Sequence, residues 1–364
     1  MIVKNFTDAI EELAPSYYAE DFDNTGLLIG EFTTEVTGVL VTLDTLETIV
    51  DEAIEKKCNL IISFHPIIFS GLKKLNRKNY VERVVHKAIK HDIAIYAMHT
   101  ALDNVYNGVN GMMCKKLGLL NTSILIPKSK TIKKLTTYVP KANAEVVRHA
   151  LFEAGGGNIG NYNYCSFNIN GTGTFNGNED SNPSIGTPGV TQFEEEVQIN
   201  MTFSSHLESS LIKALFKSHP YEEVAYEIET LENLDQHRGI GMVGEFEIAK
   251  TAEEALRHVK SVFKTKTIRH SQFISKDIKR VAVLGGSGAF AIDRAKAAKA
   301  DLYITADLKY HDFYRAENSI ILADIGHYES EQYTKDLIHA YLTEKFANFA
   351  LVLSNNNTNP IQYF

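Results

Sequence analysis

The chain has 364 residues, so at roughly 150 residues per domain it holds two or three compact units and is no single small module. Apolar residues make up 44% and charged residues 23%, the balance of a globular chain and not of a disordered one. Lys and Arg total 37 against 45 Asp and Glu, a net charge of −8, so a nucleic-acid backbone is not the expected general partner.

The first third alternates strand and helix patterns. Residues 38–44 (GVLVTLD) are apolar and β-branched and predict a buried strand. A helix is predicted at 48–57, a strand at 59–65 (NLIISFH), a helix at 80–91 and a strand at 93–98 (IAIYAM). Strands separated by helical segments of this length predict a parallel sheet with crossover helices. The pattern stops near residue 130. The next stretch is rich in Gly, Asn, Ser and Pro, at 155–160 and again at 171–189. Around these turns the spacing predicts a strand at 135–140, a helix at 144–153, strands at 164–169 and 197–203, a helix at 207–217 and a strand at 224–229. That order, β-α-β-β-α-β, is the ferredoxin-like pattern. The last third returns to alternation: a strand at 280–284, a helix at 289–300, strands at 302–306 and 319–323, a long helix at 330–346 and a strand at 349–354. The fold class read from this is an α/β core, residues 1–130 with 236–364, split by an inserted α+β domain at 131–235. Three consecutive independent domains are the alternative.

The cysteines, Cys58, Cys114 and Cys165, are far apart and form no Cys-x-x-Cys. This argues against a disulfide framework or a thiolate zinc site and for a cytoplasmic setting. No basic-then-apolar leader and no apolar run of ~18 residues is visible, so no membrane partner is expected.

His and Asp residues cluster just beyond the predicted strands. His65 ends one strand, and His99 and Asp103 follow another. Asp307 and His311 follow a third; Asp324, His327 and Glu331 follow a fourth. Ligands of open parallel sheets bind beyond the carboxyl ends of strands, so these side chains are expected at one edge. Imidazole and carboxylate without thiolate suit Zn, Fe, Mn or Ni. Each residue alone also reads as a structural hydrogen-bonding group, with Asp324 as a helix N-cap. Asp23 and Asn24 flank a glycine turn and read as turn formers, with reach to the metal edge as the other reading. Asp44 reads either as a supporting residue of the site or as an ordinary strand end. His219 with Glu222 and Glu223 reads as a turn with a solvated acidic face. Residues 284–289 (LGGSGA) fit a phosphate cradle or a tight strand-to-helix turn.

In combination these segments resemble the Nif-three-like (DUF34) family, whose members are often called GTP cyclohydrolase 1 type 2 homologs. The resemblance rests on residues 22–30 (FDNTGLLIG), 64–69 (FHPIIF), 99–103 (HTALD), 108–110, 307–312 (DLKYHD) and 324–331 (DIGHYESE), in that order along nearly the whole chain. It implies a Nif-three-like α/β fold with a PII/CutA-like insertion, a toroidal homohexamer, and up to two divalent metal ions per chain. On that resemblance His65 and Asp103 bind one metal, His327 binds the second and Glu331 bridges them. Phe64 stands where the family motif has a further His, so the second site is expected to be weak unless His99 or His311 compensates. The implied activity is metal-dependent hydrolysis, with activated water attacking the purine ring of a nucleotide and Asp307 or His311 moving the proton. A metal-dependent phosphoesterase and a non-enzymatic metal- or metabolite-responsive scaffold are the alternatives.

Overall fold

The β-branched run of residues 38–44 is buried on both faces, as a strand covered by helices on two sides must be. In the computed structural model, which describes residues 1–364, all four residues of its strand are buried. The strands in chain order are β1 (Gly26–Ile29), β2 (Val39–Thr42), β3 (Leu60–Ser63), β4 (Ala94–Ala97), β5 (Leu120–Pro127), β6 (Ile132–Pro140), β7 (Phe167–Phe175) and β8 (Gln192–Ser204). They continue with β9 (Tyr226–Thr230), β10 (Gly239–Lys250), β11 (Arg269–His270), β12 (Ile278–Ser287), β13 (Leu302–Ala306), β14 (Ile321–Asp324) and β15 (Leu351–Leu353).

Residues 1–127 and 236–364 form one compact unit, and residues 128–235 a second. The first unit contains two sheets, ordered β1-β4-β3-β2-β15 and β11-β14-β13-β12-β10-β5. In the first sheet β2, β3, β4 and β15 run parallel and β1 is an antiparallel edge. Alternate residues point to opposite faces. Val39 and Val41 therefore pack with Phe6, Ile338 and Leu342, while Leu40 packs with Ile49, Val84 and Ala88 on the other side. The second sheet repeats this logic: Val281 and Val283 face Val259 and Phe263, and Ala282 and Leu284 face Ile292 and Ala295.

The structure departs from the sequence pattern in several places, among them β7, which starts at Phe167 and runs on through Gly171 and Gly173, read as turn residues, to Phe175. The predicted helix at 330–346 is two helices, His327–Glu331 and Thr334–Lys345. Between them the Gln332 amide and the Tyr333 hydroxyl donate to the carbonyls of Phe263 and Val262, both at 2.7 Å, which closes the end of helix Ala252–Phe263. The predicted helix at 289–300 shrinks to a 3-10 turn and the short helix Ile292–Ala297. Residues 236–268, which carry no clear sequence pattern, supply β10 and the helix Ala252–Phe263, started by a Thr251–Glu254 capping box.

The second unit is a four-stranded antiparallel sheet, ordered β7-β8-β6-β9. Helices Ala144–Glu153 and Glu208–Ser218 cover one face, over Leu135, Val139, Val197 and Ile199. His219 is buried at the start of its turn, while Glu222 and Glu223 form the exposed acidic face. The His219 Nδ1 accepts from the Tyr221 amide at 3.1 Å, so its Nε2 donates to the Tyr138 carbonyl at 2.9 Å.

One buried side chain ties the two sheets of the first unit together. Asn110 Oδ1 accepts from the Gly285 amide, at the end of β12, at 3.0 Å. Its Nδ2 donates to the Asp103 carbonyl, in the turn after β4, at 3.2 Å. Replacing Asn110 with Ala leaves both backbone groups buried and unpaired. The expected loss is about 2–4 kcal/mol of unfolding free energy, read from urea titration.

Candidate metal centre

Parallel strands leave the side chains just past their carboxyl ends at one edge. Asp44 and His65 follow β2 and β3, and the one-turn helix His99–Asp103 follows β4. Asp307 follows β13, and helix His327–Glu331 follows β14. The residues expected at a single sheet edge therefore come from two sheets.

Three of the four expected ligands converge. His65 Nε2 and His327 Nε2 lie 3.1 and 3.2 Å from Glu331 Oε2. The ligand atoms of the three residues lie within 4.8 Å of one another. The i, i+4 spacing puts His327 and Glu331 on one helix face. The far side of each ring is fixed. His65 Nδ1 donates to Asp44 Oδ1 at 2.8 Å, and His327 Nδ1 donates to Asp307 Oδ2 at 2.6 Å. Asp44 accepts in turn from the Thr358 hydroxyl at 2.5 Å, and Asp307 from the Ser287 hydroxyl. Asp44 is thus a support of the site.

A carboxylate behind each imidazole turns its Nε2 lone pair inward, the usual outer partnership of a metal-ligating His. Glu331 is buried, yet its Oε2 has no hydrogen-bond partner despite the two nearby nitrogens. The three atoms are close but poorly aligned for hydrogen bonds. Three electron-rich atoms converging without a proton donor repel one another until a cation or extra protons join them. Two imidazoles and a carboxylate suit a borderline divalent metal ion, so the residues fit such a group.

Asp103 is buried as well, and its Oδ1 has no partner. Burial, then the charge of Glu331, holds its carboxyl well above the usual range. It lies outside the three-residue convergence. Protons alone satisfy the centre differently. Burial disfavours the charged form of His65, but its bond to Asp44 and the adjacent Glu331 carboxylate outweigh that and carry it up to about 10. His327 is carried up to about 11 in the same way, by Asp307 and Glu331 against burial. Burial raises Glu331, and the two imidazoles overcome it and draw the carboxyl down.

The glycine turn serves this centre. Gly286 has φ +69°, and a Cβ there would lie 2.5 Å from Glu331 Oε1. The Gly285 and Gly286 amides donate to Asn110 Oδ1 at 3.0 Å and Ser330 Oγ at 2.9 Å. Both amides are engaged, as a tight strand-to-helix turn requires, and neither is free for a phosphate.

Phe64 is fully buried, with its ring 4.8 Å from that of His65 and 5.6 Å from that of His99. His99 has its own carboxylate: Nδ1 donates to Asp23 Oδ1 at 2.7 Å. Asp23 Oδ2 also accepts from the Thr100 amide at 3.0 Å. Asp23 is therefore a long-range partner and not only a turn former, while the Asn24 side chain donates to the Ile68 carbonyl at 2.5 Å. His311 is exposed, with Tyr310 and Tyr314 as ring neighbours, and is not among the converging residues. Asp324 is no N-cap; Gly326 occupies that position. The Asp324 carboxylate instead accepts from Arg269, from the Leu308 amide at 3.0 Å and from the Gly326 amide at 3.1 Å. Ser287 and Ser330 lie within segments 284–289 and 324–331, yet they and Thr358 carry no sequence signal of their own, because a lone hydroxyl has no spacing pattern.

The sequence model of the Duf34/NIF3 (NGG1p interacting factor 3) family matches residues 1–360. A Bacillus subtilis protein called GTP cyclohydrolase 1 type 2 homolog is 38% identical over 359 residues, 97% of this chain and 96% of its own. A Staphylococcus aureus protein of the same name is 36% identical over the full length of both chains. Among solved structures, a Bacillus cereus protein related to NIF3 superposes with a TM-score of 0.86 at 35% identity, over 100% of this chain and 99% of that one.

Asp44→Ala and Asp307→Ala each free one imidazole to rotate, and each is expected to weaken zinc binding about 10–100-fold in competition with a chromophoric chelator. The raised imidazoles also set a pH dependence. In chelator-treated protein their stabilisation is complete below the unfolded value of 6.5 and is lost as pH rises through about 10 and 11. The melting temperature of that protein should fall over this window, and a His65→Gln/His327→Gln variant should lack that part of the fall.

Proposed function

The chain belongs to the Duf34/NIF3 family, and on that premise we propose that it is a metal-dependent hydrolase acting on a nucleotide, opening its purine ring with water. The observation that carries this reading is the unpaired, buried Glu331 oxygen set between two imidazoles, each oriented by its own carboxylate. In this proposal His65 and Asp103 would hold one ion, His327 would hold a second, weaker one, and Glu331 would serve both. A divalent cation held there supplies Lewis acidity, polarising the bond under attack and acidifying water at neutral pH.

The remaining steps fall to the chain's own groups. Asp44 and Asp307 keep the two rings from turning. Asp307 is half-exposed, and its bond from His327 holds its carboxyl below the usual range, so it stays ionised at neutral pH and can accept a proton. His311, exposed four residues further on, is assigned the solvent side of that transfer. Phe64 offers a ring in place of a ligand, which leaves His327 and Glu331 as the side chains for a second ion. The toroidal homohexamer of the family resemblance belongs to the same proposal, and light scattering on the purified protein tests it.

Protein reconstituted with Zn, Mn, Fe or Ni and given GTP and a nucleotide panel should release formate. Release of inorganic phosphate or nucleoside instead identifies a phosphoesterase, and silence across the panel favours a regulatory scaffold. His65→Ala and Glu331→Ala should each lower turnover by at least about a hundredfold, the upper end of what losing a mere supporting partner costs. Elemental analysis should find one tightly held ion per chain; two held equally tightly would refute the role given to Phe64.

A further inference from the structure

The second unit has a feature that the metal centre does not use. On β7 the side-chain period of two places Ile169, Gly171, Gly173 and Phe175 on one face of the sheet. The two glycines leave a gap of two side chains between two large apolar ones. Across the gap on β8, Gln198 is opposite Ile169 and Glu196 is opposite Gly171. Tyr138 on β6 pairs with Gln198. This is the face away from the helices, since the alternate residues Val197 and Ile199 pack into the core beneath them. The result is a half-open hollow of about 610 Å³, flanked by residues of the 176–185 segment and by Tyr221. That volume suits a small organic molecule.

The lining fixes the chemistry. Glu196, Glu222 and Glu223 line the cavity, and no Lys, Arg or His does. The Glu196 carboxylate lies in the gap itself: a Cβ on Gly173 would come within 2.2 Å of its Oε2. Its Oε1 accepts from the Tyr221 hydroxyl at 2.8 Å, which fixes its direction. The rings of Phe175 and Tyr221 stand 5.6 Å apart beside it, and Ile169 and Ile185 complete the apolar walls. An anion such as a nucleotide phosphate would meet only like charge. A bare metal ion needs several oxygens at ~2.0–2.6 Å, and the three carboxylates do not converge as His65, His327 and Glu331 do. A cation with an apolar or aromatic body meets both parts of the lining, a carboxylate for its charge and ring faces for the rest.

We propose that this hollow binds an organic cation, a protonated amine on an apolar or aromatic body, with Glu196 as its counter-ion and Phe175 and Tyr221 against its body. The site lies wholly within residues 128–235 and does not depend on the hydrolase reading. Calorimetric titration of the full chain with tryptamine, and with its uncharged counterpart tryptophol, tests it. Tryptamine should bind, and tryptophol should bind at least about tenfold more weakly. Gly171→Phe fills the hollow; the position has an ordinary φ and nothing within 4 Å of a Cβ, so the variant should keep its melting temperature. It and Glu196→Gln should each weaken tryptamine binding by at least about tenfold. Equal binding of both probes, no binding at millimolar tryptamine, or binding indifferent to both folded variants would each overturn the proposal. The last outcome would place the amine elsewhere, the metal centre included.

Discussion

A buried carboxylate oxygen shares one small space with two imidazole nitrogens and makes no well-aligned hydrogen bond to either, so only a cation between them or protons on both rings relieves their crowding. That electrostatic conflict organises the rest of the first unit. It requires Asp44 and Asp307 behind the rings, because a free ring would turn and relieve the repulsion by hydrogen-bonding elsewhere. It requires glycine at 286, because any side chain there would displace Glu331. It explains why Ser330 and Asn110 occupy the amides of the glycine turn: a rigid turn keeps the carboxylate in the place where it is least comfortable without a counter-charge.

The two sheets divide the work. The one built around β2, β3 and β4 supplies His65 with its support and the turn that carries Asp103. The one built around β12, β13 and β14 supplies His327 with its support and Glu331. Each sheet brings a rigid edge, and the geometry between the edges is set by buried polar links such as Asn110 rather than by a flexible loop. Ligands on strand ends and one-turn helices are held more closely than ligands on long loops.

Much of this was legible in the sequence, and the parts that were not share a reason. Apolar strands such as 302–306 and the helix at 144–153 were found because periodicity is a local signal. His65, His327 and Glu331 were marked because strand-end position and i, i+4 spacing are local too. The split of the core into two sheets was invisible, since strand pairing is decided by contacts far apart in the chain. The break at Gln332 was missed because its cause, the carbonyls at 262 and 263, lies some seventy residues away. Asp23 was read as a turn former for the same reason: its partner His99 is 76 residues off. The buried role of His219 followed from neighbours on β6 that its own flanking residues do not announce.

The pairing of β15 with β2 has a consequence in time. Leu351 sits beside Val39, so the strand next to the one that leads to Asp44 is synthesised roughly three hundred residues after it. At ~5–20 residues per second, β2 waits roughly 15–60 s on the ribosome with that edge uncovered. An unpaired edge is where a neighbouring chain can add itself. Thr358, which steadies Asp44, arrives later still. The nascent protein therefore passes through a period in which its first sheet is incomplete and its His65 unsupported, and translation speed and early metal supply become variables in how much of it matures.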